Sequence, residues 1–353
     1  MRPLAITPAS DAPADALPLA GGPLRFAAVE IVVRDQGEIH QNVHRDIIES
    51  SALFEWAATV DRADEVNALL GRLTSVRGDI AGLNFDMPRI MGILNVTPDS
   101  FHDGGLDSSA VDAIQRGLDM IEAGAHIIDI GGESTRPGAE PVDEAEEARR
   151  VLPVIAGLAD GAVPVSIDSR RASVMQQALI AGATMVNDVH ALTGEGCLQA
   201  VAAAGVPVVL MHGPADPQVM ADKTVYADVL LDSYDWLEAR IFACEAAGIA
   251  RGNIIVDPGI GFAKTAAQSA AVIGGISLFH GLGCAVLLGA SRKSFIAGVS
   301  GDEPSDQRLA GSITAVAHAL SQGVQVFRVH DVADTCQAIA VWQALRGDPG
   351  QVV

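Results

Sequence analysis

The feature that most constrains the fold of this chain is a pattern that begins at residue 89 and occurs eight times. Each repeat has a short apolar segment, typical of a buried parallel strand, followed by a stretch with helical periodicity. The predicted strands are 89–95, 126–131, 163–168, 184–188, 206–212, 253–257, 285–291 and 324–330. The predicted helices lie near 107–123, 143–158, 170–181, 195–204, 226–247, 264–278, 304–321 and 331–346.

Eight strand-then-helix units over about 260 residues fit a (β/α)8 barrel closely. The competing fold, an open doubly wound sheet, usually has a G-x-G-x-x-G turn after its first strand and an acidic residue about twenty positions later. The sequence has neither feature. We therefore predict an α/β protein whose residues 85–348 form a (β/α)8 TIM barrel.

The residues before the barrel carry weaker signals. Residues 1–22 are rich in Pro, Ala and Asp, which predicts a flexible arm. Residues 23–84 are predicted to form an α+β extension, with a strand over 24–34 and a helix over 51–72. The extension would cap the bottom of the barrel, extend a dimer interface or bind a partner. His40 and His44 stand four apart, but no acidic third ligand has a diagnostic spacing, so a polar surface pair is favoured over a metal site.

Charge and cysteine content exclude some classes of protein. The chain has 23 Lys+Arg against 44 Asp+Glu, a net charge of −21, which argues against a nucleic-acid partner. No run of 18 apolar residues predicts a membrane span, and prolines interrupt the stretch where a secretion signal would lie. The four cysteines are widely spaced and form no C-x-x-C pair, as in proteins of a reducing compartment. These observations favour the cytoplasm.

Polar residues occur where each predicted strand ends, which is the catalytic face of a (β/α)8 barrel. A single Asp or Asn at a strand end is often only a helix N-cap, and that interpretation stays open for each one taken alone. A binding or catalytic site explains polar residues at all eight strand ends better than helix capping alone does. The strand-end residues are Asn95, Gly131–Gly138, Asp168, Asn187–Asp188, Met211–His212, Asp257, Ser291–Lys293 and Arg328–Asp331.

Several of these polar residues have a structural interpretation that we prefer. Asp188 and Asp331 adjoin helix starts, so we expect them to cap a helix or brace a loop. Glu133 is expected to brace its own loop. Asp129 lies inside a strand and is expected to hold neighbouring backbone. Met211 is a pocket wall or a barrel-core residue.

The remaining strand-end residues suggest a site with two halves. Asp168, Asn187 and Asp257 offer acceptors and Lys293 a donor, which suits a flat heterocycle with amino and carbonyl groups. The cations that could form an anion site are Arg136, Arg292, Lys293, Arg328 and His330. No Ser-His-Asp or Cys-His arrangement is evident. Chemistry that needs positioning, a metal and a good leaving group therefore fits better than nucleophilic catalysis.

Eight segments, in order, resemble the motifs of the dihydropteroate synthase family, and together they are highly specific. The similarity covers roughly residues 85–346. The segments are Met91–Gly105 (MGILNVTPDSFHDGG), Asp129–Gly138 (DIGGESTRPG), Ser166–Ser169 (SIDS), Val186–Val189 (VNDV), Leu210–His212 (LMH), Val256–Phe262 (VDPGIGF), Ser291–Lys293 (SRK) and Arg328–Val332 (RVHDV).

This resemblance implies an enzyme of folate biosynthesis that joins 6-hydroxymethyl-7,8-dihydropterin diphosphate to 4-aminobenzoate, giving 7,8-dihydropteroate and diphosphate. It also implies a homodimer and Mg²⁺ as cofactor. Mg²⁺ would assist loss of diphosphate, and the amine would attack a pterin methylene cation.

The resemblance also implies a role for each matching residue. Asn95 would be the Mg²⁺ ligand, and Asp103 in the first loop would stabilise the pterin cation. Asp257 and Lys293 would take part in catalysis as well as binding the pterin. The pterin pocket would be lined by Asp168, Asn187, Met211, Asp257 and Lys293. The diphosphate would contact Thr135, Arg328 and His330. The aminobenzoate would be framed by Arg136, Pro137, Phe262 and Ser291.

The chain departs from the family pattern at two places. Ala263 replaces the usual second glycine of G-F-G-K, which is harmless unless that position needs a positive φ. The segment after His212 lacks the basic or polar pair often seen there.

Two other functions stay open. A methyltransferase acting on methyltetrahydrofolate and a corrinoid protein would not need all these motifs, and a non-catalytic pterin-binding paralogue would not need its cations intact.

Overall fold

The amino-terminal part of the chain forms a small antiparallel sheet and two helices in the computed structural model, which describes residues 1–34, 43–96, 106–133, 142–213 and 224–346. Strand β3 pairs with each of the other three strands. The elements are β1 (Arg2–Pro8), β2 (Leu17–Pro18), β3 (Leu24–Arg34), β4 (Val43–Glu49), α1 (Leu53–Thr59) and α2 (Ala63–Thr74). The predicted strand over 24–34 is confirmed.

Two predictions for this region are wrong. Residues 1–22 are not simply a flexible arm, because β1 pairs with β3 from Arg2↔Glu30 to Pro8↔Leu24. Prolines are tolerated there because β1 is an edge strand, where a missing N–H need not break the ladder. The helix predicted over 51–72 is two helices, since Asp61 between them has a φ of 54°. Asp adopts this left-handed conformation more readily than most residues.

The eight predicted barrel strands are all present. They pair in parallel and in chain order, and the last strand pairs with the first, so the (β/α)8 barrel is confirmed. The strands are β5 (Arg89–Asn95), β6 (Ile127–Gly131), β7 (Val165–Asp168), β8 (Met185–Asp188), β9 (Val208–Met211), β10 (Ile254–Asp257), β11 (Ala285–Leu288) and β12 (Val326–Val329).

Helices follow the strands and cover the outside of the barrel. They are α3 (Leu106–Glu122), α4 (Glu144–Leu158), α5 (Ala172–Ile180), α6 (Cys197–Ala204), α7 (Val229–Ala246), α8 (Ala266–Gly274), α9 (Ser294–Ser300), α10 (Leu309–Ser321) and α11 (Val332–Leu345). Two details were not predicted. A separate 3₁₀ helix over Ile276–Leu282 follows α8, and the short helix α9 lies between β11 and α10. Among the described helices, none is long and apolar enough to cross a membrane.

The barrel interior changes from apolar to polar along the strands. A buried apolar layer contains Met91, Ile127, Met185, Val209, Ile255, Leu287 and Val326, together with Ile80 from the segment before β5. Residues two apart on a strand point to the same side. The next inward position is therefore Asp129 above Ile127, Asn187 above Met185, and Asp257 above Ile255. The apolar layer thus forms the floor of a polar cavity at the carboxyl ends of the strands.

The extension packs on the outside of the barrel, against α7 and the 3₁₀ helix 276–282. Ser277 Oγ donates to the carbonyl of Pro3 at 3.1 Å, and Arg77 Nη2 donates to the carbonyl of His280 at 3.0 Å. Three arginines form ion pairs with residues along α7 or at its N-cap: Arg34–Asp232 at 2.6 Å, Arg45–Asp228 at 2.8 Å and Arg72–Glu238 at 2.8 Å.

Candidate active site

The register of the barrel brings the predicted site residues to one rim. Asn95 pairs with Gly131, Gly131 with Asp168, and Asp168 with Asn187, so these residues form one row across β5 to β8. Met211 pairs with Asp257 on the opposite side of the barrel mouth. In a closed parallel barrel such a row lies at the carboxyl ends of the strands, where side chains can converge.

One cavity of about 270 Å³ contains most of the predicted residues. Those that line it are Asn95, Asp168, Asn187, Met211, Asp257, Phe262, Ser291, Lys293, Arg328 and His330. The predicted residues Asp103, Thr135, Arg136 and Pro137 lie outside the described residues, as does His40. The lining also includes Ser294, Ser305 and Arg308, which no sequence signal indicated because they follow no strand end directly. The convergence of the heterocycle and anion halves is thus observed, whereas each residue's role toward a ligand stays a prediction.

Arg328 is the centre of a buried ionic network. Its Nε donates to Asp129 Oδ2 at 2.6 Å and its Nη2 donates to Asp168 Oδ2 at 2.7 Å. Burial alone would lower the pKa of Arg328, but the two carboxylates raise it above its usual value. Burial raises the pKa of Asp168, and the nearby Arg328 charge opposes that shift. The guanidinium therefore joins β12 to β6 and β7 across the barrel.

Asp129 does not hold backbone, contrary to our expectation. Its carboxylate is fully buried, and Oδ2 also accepts from Asn187 Nδ2 at 2.9 Å. Its other oxygen, Oδ1, has no hydrogen-bond partner among the described residues. The period of two along β6 could have identified this residue, because it places Asp129 on the inner face above Ile127.

Asp257 and Lys293 form the opposite wall. Asp257 Oδ1 accepts from the amide of Gly259 at 2.7 Å. A Cβ on Gly289 would lie 3.2 Å from Asp257 Oδ2 and 3.7 Å from Lys293 Nζ, so the glycine leaves space beside both groups. Lys293 Nζ lies 4.6 Å from the centre of the Phe262 ring, a cation–π distance. Burial lowers the pKa of Lys293 to about 8 and raises that of Asp257, while each group's charge opposes the other's shift.

Behind this wall lies a second lysine that the sequence analysis missed. Lys264 is 8% exposed, and its Nζ is 2.8 Å from His212 Nδ1. It also donates to the carbonyls of Gly259 at 3.1 Å and Phe262 at 3.3 Å. Burial lowers the pKa of Lys264 to about 7 and that of His212 to about 3. A signal was present in the composition, because the chain has only three lysines: Lys223, Lys264 and Lys293.

The strand ends of β11 and β12 are joined by polar contacts. Ser291 Oγ lies 3.0 Å from His330 Nδ1 and accepts from the His330 amide at 3.2 Å. Arg292, which we expected to serve the anion site, donates through Nε to Asp331 Oδ2 at 2.9 Å. Asp331 makes no side-chain cap, so it braces the loop through Arg292 instead.

Two other acidic residues brace loops as expected. Asp188 accepts from the amides of His190 at 2.8 Å and Leu192 at 2.9 Å. Glu133 accepts from the amide of Val142 at 3.0 Å and forms ion pairs with Arg170 and Arg171. These carboxylates hold the protein itself and are not ligand groups.

The described residues hold no group of three or more His, Cys, Asp or Glu that would bind a metal by itself. A Cβ on Gly131 would lie 3.7 Å from Asn95 Oδ1 and 3.6 Å from Asp168 Oδ2, so two oxygens flank this glycine at the cavity. Mg²⁺ is commonly held by one or two protein oxygens together with substrate phosphates. The donor set therefore fits an ion that shares its coordination with a diphosphate.

The fold and the site define a class of protein: a (β/α)8-barrel enzyme with a polar cavity suited to a flat heterocycle next to an anion. The family model described as "Pterin binding enzyme" matches residues 91–330. Dihydropteroate synthase of Escherichia coli (strain K12) is 41% identical over 263 residues, 74% of this chain and 93% of that protein.

Solved structures give the same result. Xanthomonas albilineans dihydropteroate synthase with 4-aminobenzoic acid has 47% identity and a TM-score of 0.71, covering 76% of this chain and 97% of that one. The Xanthomonas albilineans enzyme in complex with 7,8-dihydropteroate has 44% identity and a TM-score of 0.68, covering 75% and 95%. The chain belongs to the dihydropteroate synthase family.

Proposed function

We propose that this chain condenses 6-hydroxymethyl-7,8-dihydropterin diphosphate with 4-aminobenzoate to give 7,8-dihydropteroate and diphosphate. The observation that carries the proposal is the cavity at the barrel mouth, where buried acceptors and a lysine lie beside Arg328 and His330. Relatives at 41–47% identity are dihydropteroate synthases, and solved structures contain 4-aminobenzoic acid or 7,8-dihydropteroate.

The pterin binds, in this proposal, between Asp168, Asn187 and Asp257, with Lys293 donating and Met211 against the ring face. The carboxylates accept hydrogen bonds from the ring N–H and amino groups of the pterin. The side-chain amide of Asn187 supplies both a donor and an acceptor. The support is that all five residues line the cavity and that Asp168, Asn187, Met211 and Asp257 are nearly buried. Hydrogen bonds in such a water-poor site discriminate strongly between ligands.

The diphosphate binds at Arg328 and His330, with Thr135 contributing from the second loop. Arg328 already has two carboxylate partners, so it binds the diphosphate only by sharing or exchanging them. Phe262, Ser291, Arg136 and Pro137 frame the aminobenzoate, and Asp103 stabilises the pterin cation. Asn95 is the residue that would hold Mg²⁺, which when bound supplies charge neutralisation for the diphosphate.

The reaction needs no enzyme nucleophile. The C–O bond to the diphosphate breaks first, and Arg328 and His330 stabilise the negative charge that develops on the leaving group. The pterin methylene cation that remains is stabilised by the ring and by the carboxylates of Asp257 and Asp103. The aniline nitrogen then forms the new C–N bond and gives its proton to the departing diphosphate. The closed apolar floor of the barrel keeps water from reaching the cation from below.

A product assay tests this function directly. The purified chain is incubated with the pterin diphosphate and 4-aminobenzoate, with and without Mg²⁺, and dihydropteroate is measured. We expect Mg²⁺-dependent product. Methyl transfer from methyltetrahydrofolate to a corrinoid protein would show the first alternative, and pterin binding without any product would show the second.

We further propose that the protein acts in the cytoplasm as a homodimer. None of the four cysteines is paired in a disulfide, which suits a reducing compartment. The homodimer is supported by family membership alone, and light scattering after size-exclusion chromatography tests it. We also propose that the extension is a unit separate from the barrel, and that it includes residues 1–22 as well as 23–84, because β1 and β2 pair with β3. The family match begins only at residue 91, in β5.

A further inference from the structure

The loop that follows β10 carries two groups of the cavity. It begins at Asp257, passes Gly259 and ends beyond Phe262, whose ring lies beneath Lys293 Nζ. A Cβ on Gly259 would lie 1.8 Å from the carbonyl oxygen of His212, so the loop crosses the end of β9 in close contact. Its conformation therefore depends on groups that hold peptide units, because no regular element contains residues 258–265.

Lys264 is the side chain that holds those peptide units. Its three donors have three acceptors: the carbonyls of Gly259 and Phe262 and the ring nitrogen Nδ1 of His212. In its protonated form the ammonium group has three donors and no acceptor, so this set satisfies it completely. An acceptor at Nδ1 requires the ring proton of neutral His212 to be on Nε2, and the low pKa of His212 agrees with a neutral ring.

Each of these two carbonyls belongs to a residue that places a group at the cavity. The carbonyl oxygen of Gly259 accepts a hydrogen bond from Lys264 Nζ. The backbone N–H of the same residue donates to Asp257 Oδ1 at 2.7 Å. The carbonyl of Phe262 fixes the backbone that carries the aromatic ring. His212 is in turn held by aromatic contacts, with its ring centre 5.2 Å from that of Trp236 on α7.

We propose that Lys264 is a positioning residue for the pterin half of the site, fixing Asp257 and the Phe262 ring through the carbonyls of Gly259 and Phe262. This inference rests on the proposed function, because it concerns the pocket assigned to the pterin. Lys264 does not line the cavity, so it acts through these peptides and not by contact with substrate.

The test compares two ligands in the variant Lys264→Met, which removes the donors but keeps most of the apolar stem. Binding of 6-hydroxymethylpterin and of inorganic diphosphate is measured by calorimetry. We expect the Kd of the pterin to rise roughly tenfold or more, because charged hydrogen bonds that order Asp257 are lost. The Kd of diphosphate should change less than about threefold, since the hydrogen bonds of Lys264 go to Gly259, Phe262 and His212, and Arg328 is held by Asp129 and Asp168.

Two further variants complete the design. Lys264→Gln keeps two N–H donors on a neutral group and should give an intermediate pterin affinity. Arg251→Met is the matched control, because it removes a cation that pairs with Glu245 and the carbonyl of Leu282 at the amino ends of the strands. It should lower the melting temperature and leave both affinities unchanged.

Three results would overturn the inference: an unchanged pterin affinity in Lys264→Met, a parallel loss of pterin and diphosphate affinity, or failure of both Lys264 variants to fold. The last two would make Lys264 a residue of the fold in general. Failure of the proposed function is distinguishable, because then the wild-type protein itself would bind no pterin or make no dihydropteroate.

Discussion

The carboxylate of Asp257 has a different partner on each side. Oδ1 is held by the Gly259 amide, and Oδ2 faces the region of Lys293. In Asp257→Asn the negative charge is lost, so Lys293 loses its counter-charge and the proposed pterin cation loses a stabilising group. We expect kcat to fall at least about a hundredfold, as when one preorganised electrostatic group is removed from an active site.

Steady-state kinetics measures this effect, and thermal unfolding followed by circular dichroism checks that the variant is folded. Near-normal turnover would contradict the role of Asp257 in catalysis.

Ala263 adopts the backbone conformation that the usual glycine of this family position favours, with a φ of 46°. A left-handed L-residue costs about 1 to 2 kcal/mol. Ala263→Gly removes that strain, but it also removes a buried methyl group and increases the entropy of the unfolded chain. We expect a net change within about 0.5 kcal/mol of zero, measured by urea unfolding.

Ala183→Gly is the matched control for this substitution, because Ala183 is also buried outside a helix but is not a positive-φ residue. There no strain is relieved, and we expect a loss of about 1 kcal/mol. Equal losses at the two positions would contradict strain at Ala263.

The strand-end residues were predictable because in a barrel the end of a strand fixes the place of a side chain. Asp168, Asn187 and Asp257 follow directly from that rule. The pairing of Asp129 with Arg328 could not be predicted. The two residues are 199 positions apart, and local sequence patterns do not indicate which side chains meet across the barrel. Lys264 was missed because its acceptors are two backbone carbonyls and His212, which follows the end of β9 and lies 52 positions away in the chain.

At the scale of elements, the network of Arg328 joins β12 to β6, β7 and β8 through Asp129, Asp168 and Asn187. Asp129→Ala leaves a buried guanidinium with one fewer counter-charge, so we expect a loss of about 3 kcal/mol or more. Adding Arg328→Met removes the uncompensated charge, and the double variant should recover part of that stability. Urea unfolding of both single variants and the double variant measures the coupling, and strictly additive losses would contradict the network.

The contacts between the extension and the barrel differ in their expected strength. Arg72–Glu238 is a partly exposed ion pair, and such pairs contribute about 0.2–1 kcal/mol. Phe26 is fully buried in the extension's own core with Leu53 and Leu73. We therefore expect Arg72→Met to cost less than about 1 kcal/mol and Phe26→Ala about 3–5 kcal/mol.

Urea unfolding at 0.1 M and 1 M NaCl tests this ranking, because only the ion pair should weaken with salt. A larger loss for Arg72→Met than for Phe26→Ala would mean that the ion pairs, and not the apolar core, hold the extension.

At the scale of the whole molecule, buried neutral histidines make stability depend on pH. His280 lies in the 3₁₀ helix beneath the extension, and burial lowers its pKa to about 3. Between pH 6.5 and 3 the unfolded chain binds a proton at this position that the folded chain does not bind, so stability falls as the pH falls. From pH 7 to pH 5 this group contributes a loss of about 2 kcal/mol.

His280→Gln keeps an N–H donor that can face the carbonyl of Gln322, the observed partner of His280 Nε2 at 2.9 Å, but it does not titrate. Subtracting its pH dependence from that of the wild type isolates the histidine, since groups such as Asp188, whose pKa burial raises to about 6, shift stability in the opposite direction. The same loss in both proteins would contradict the assignment.

The scarcity of lysine has a practical consequence for anyone who attaches this protein to a surface or a dye. Of its three lysines, one forms a wall of the cavity and another supports the loop behind that wall, so amine-directed reagents have few harmless targets on this chain. Coupling through a cysteine introduced on the surface would spare the barrel mouth, and protection of Lys293 from acylation by a dye would report that a ligand fills the cavity.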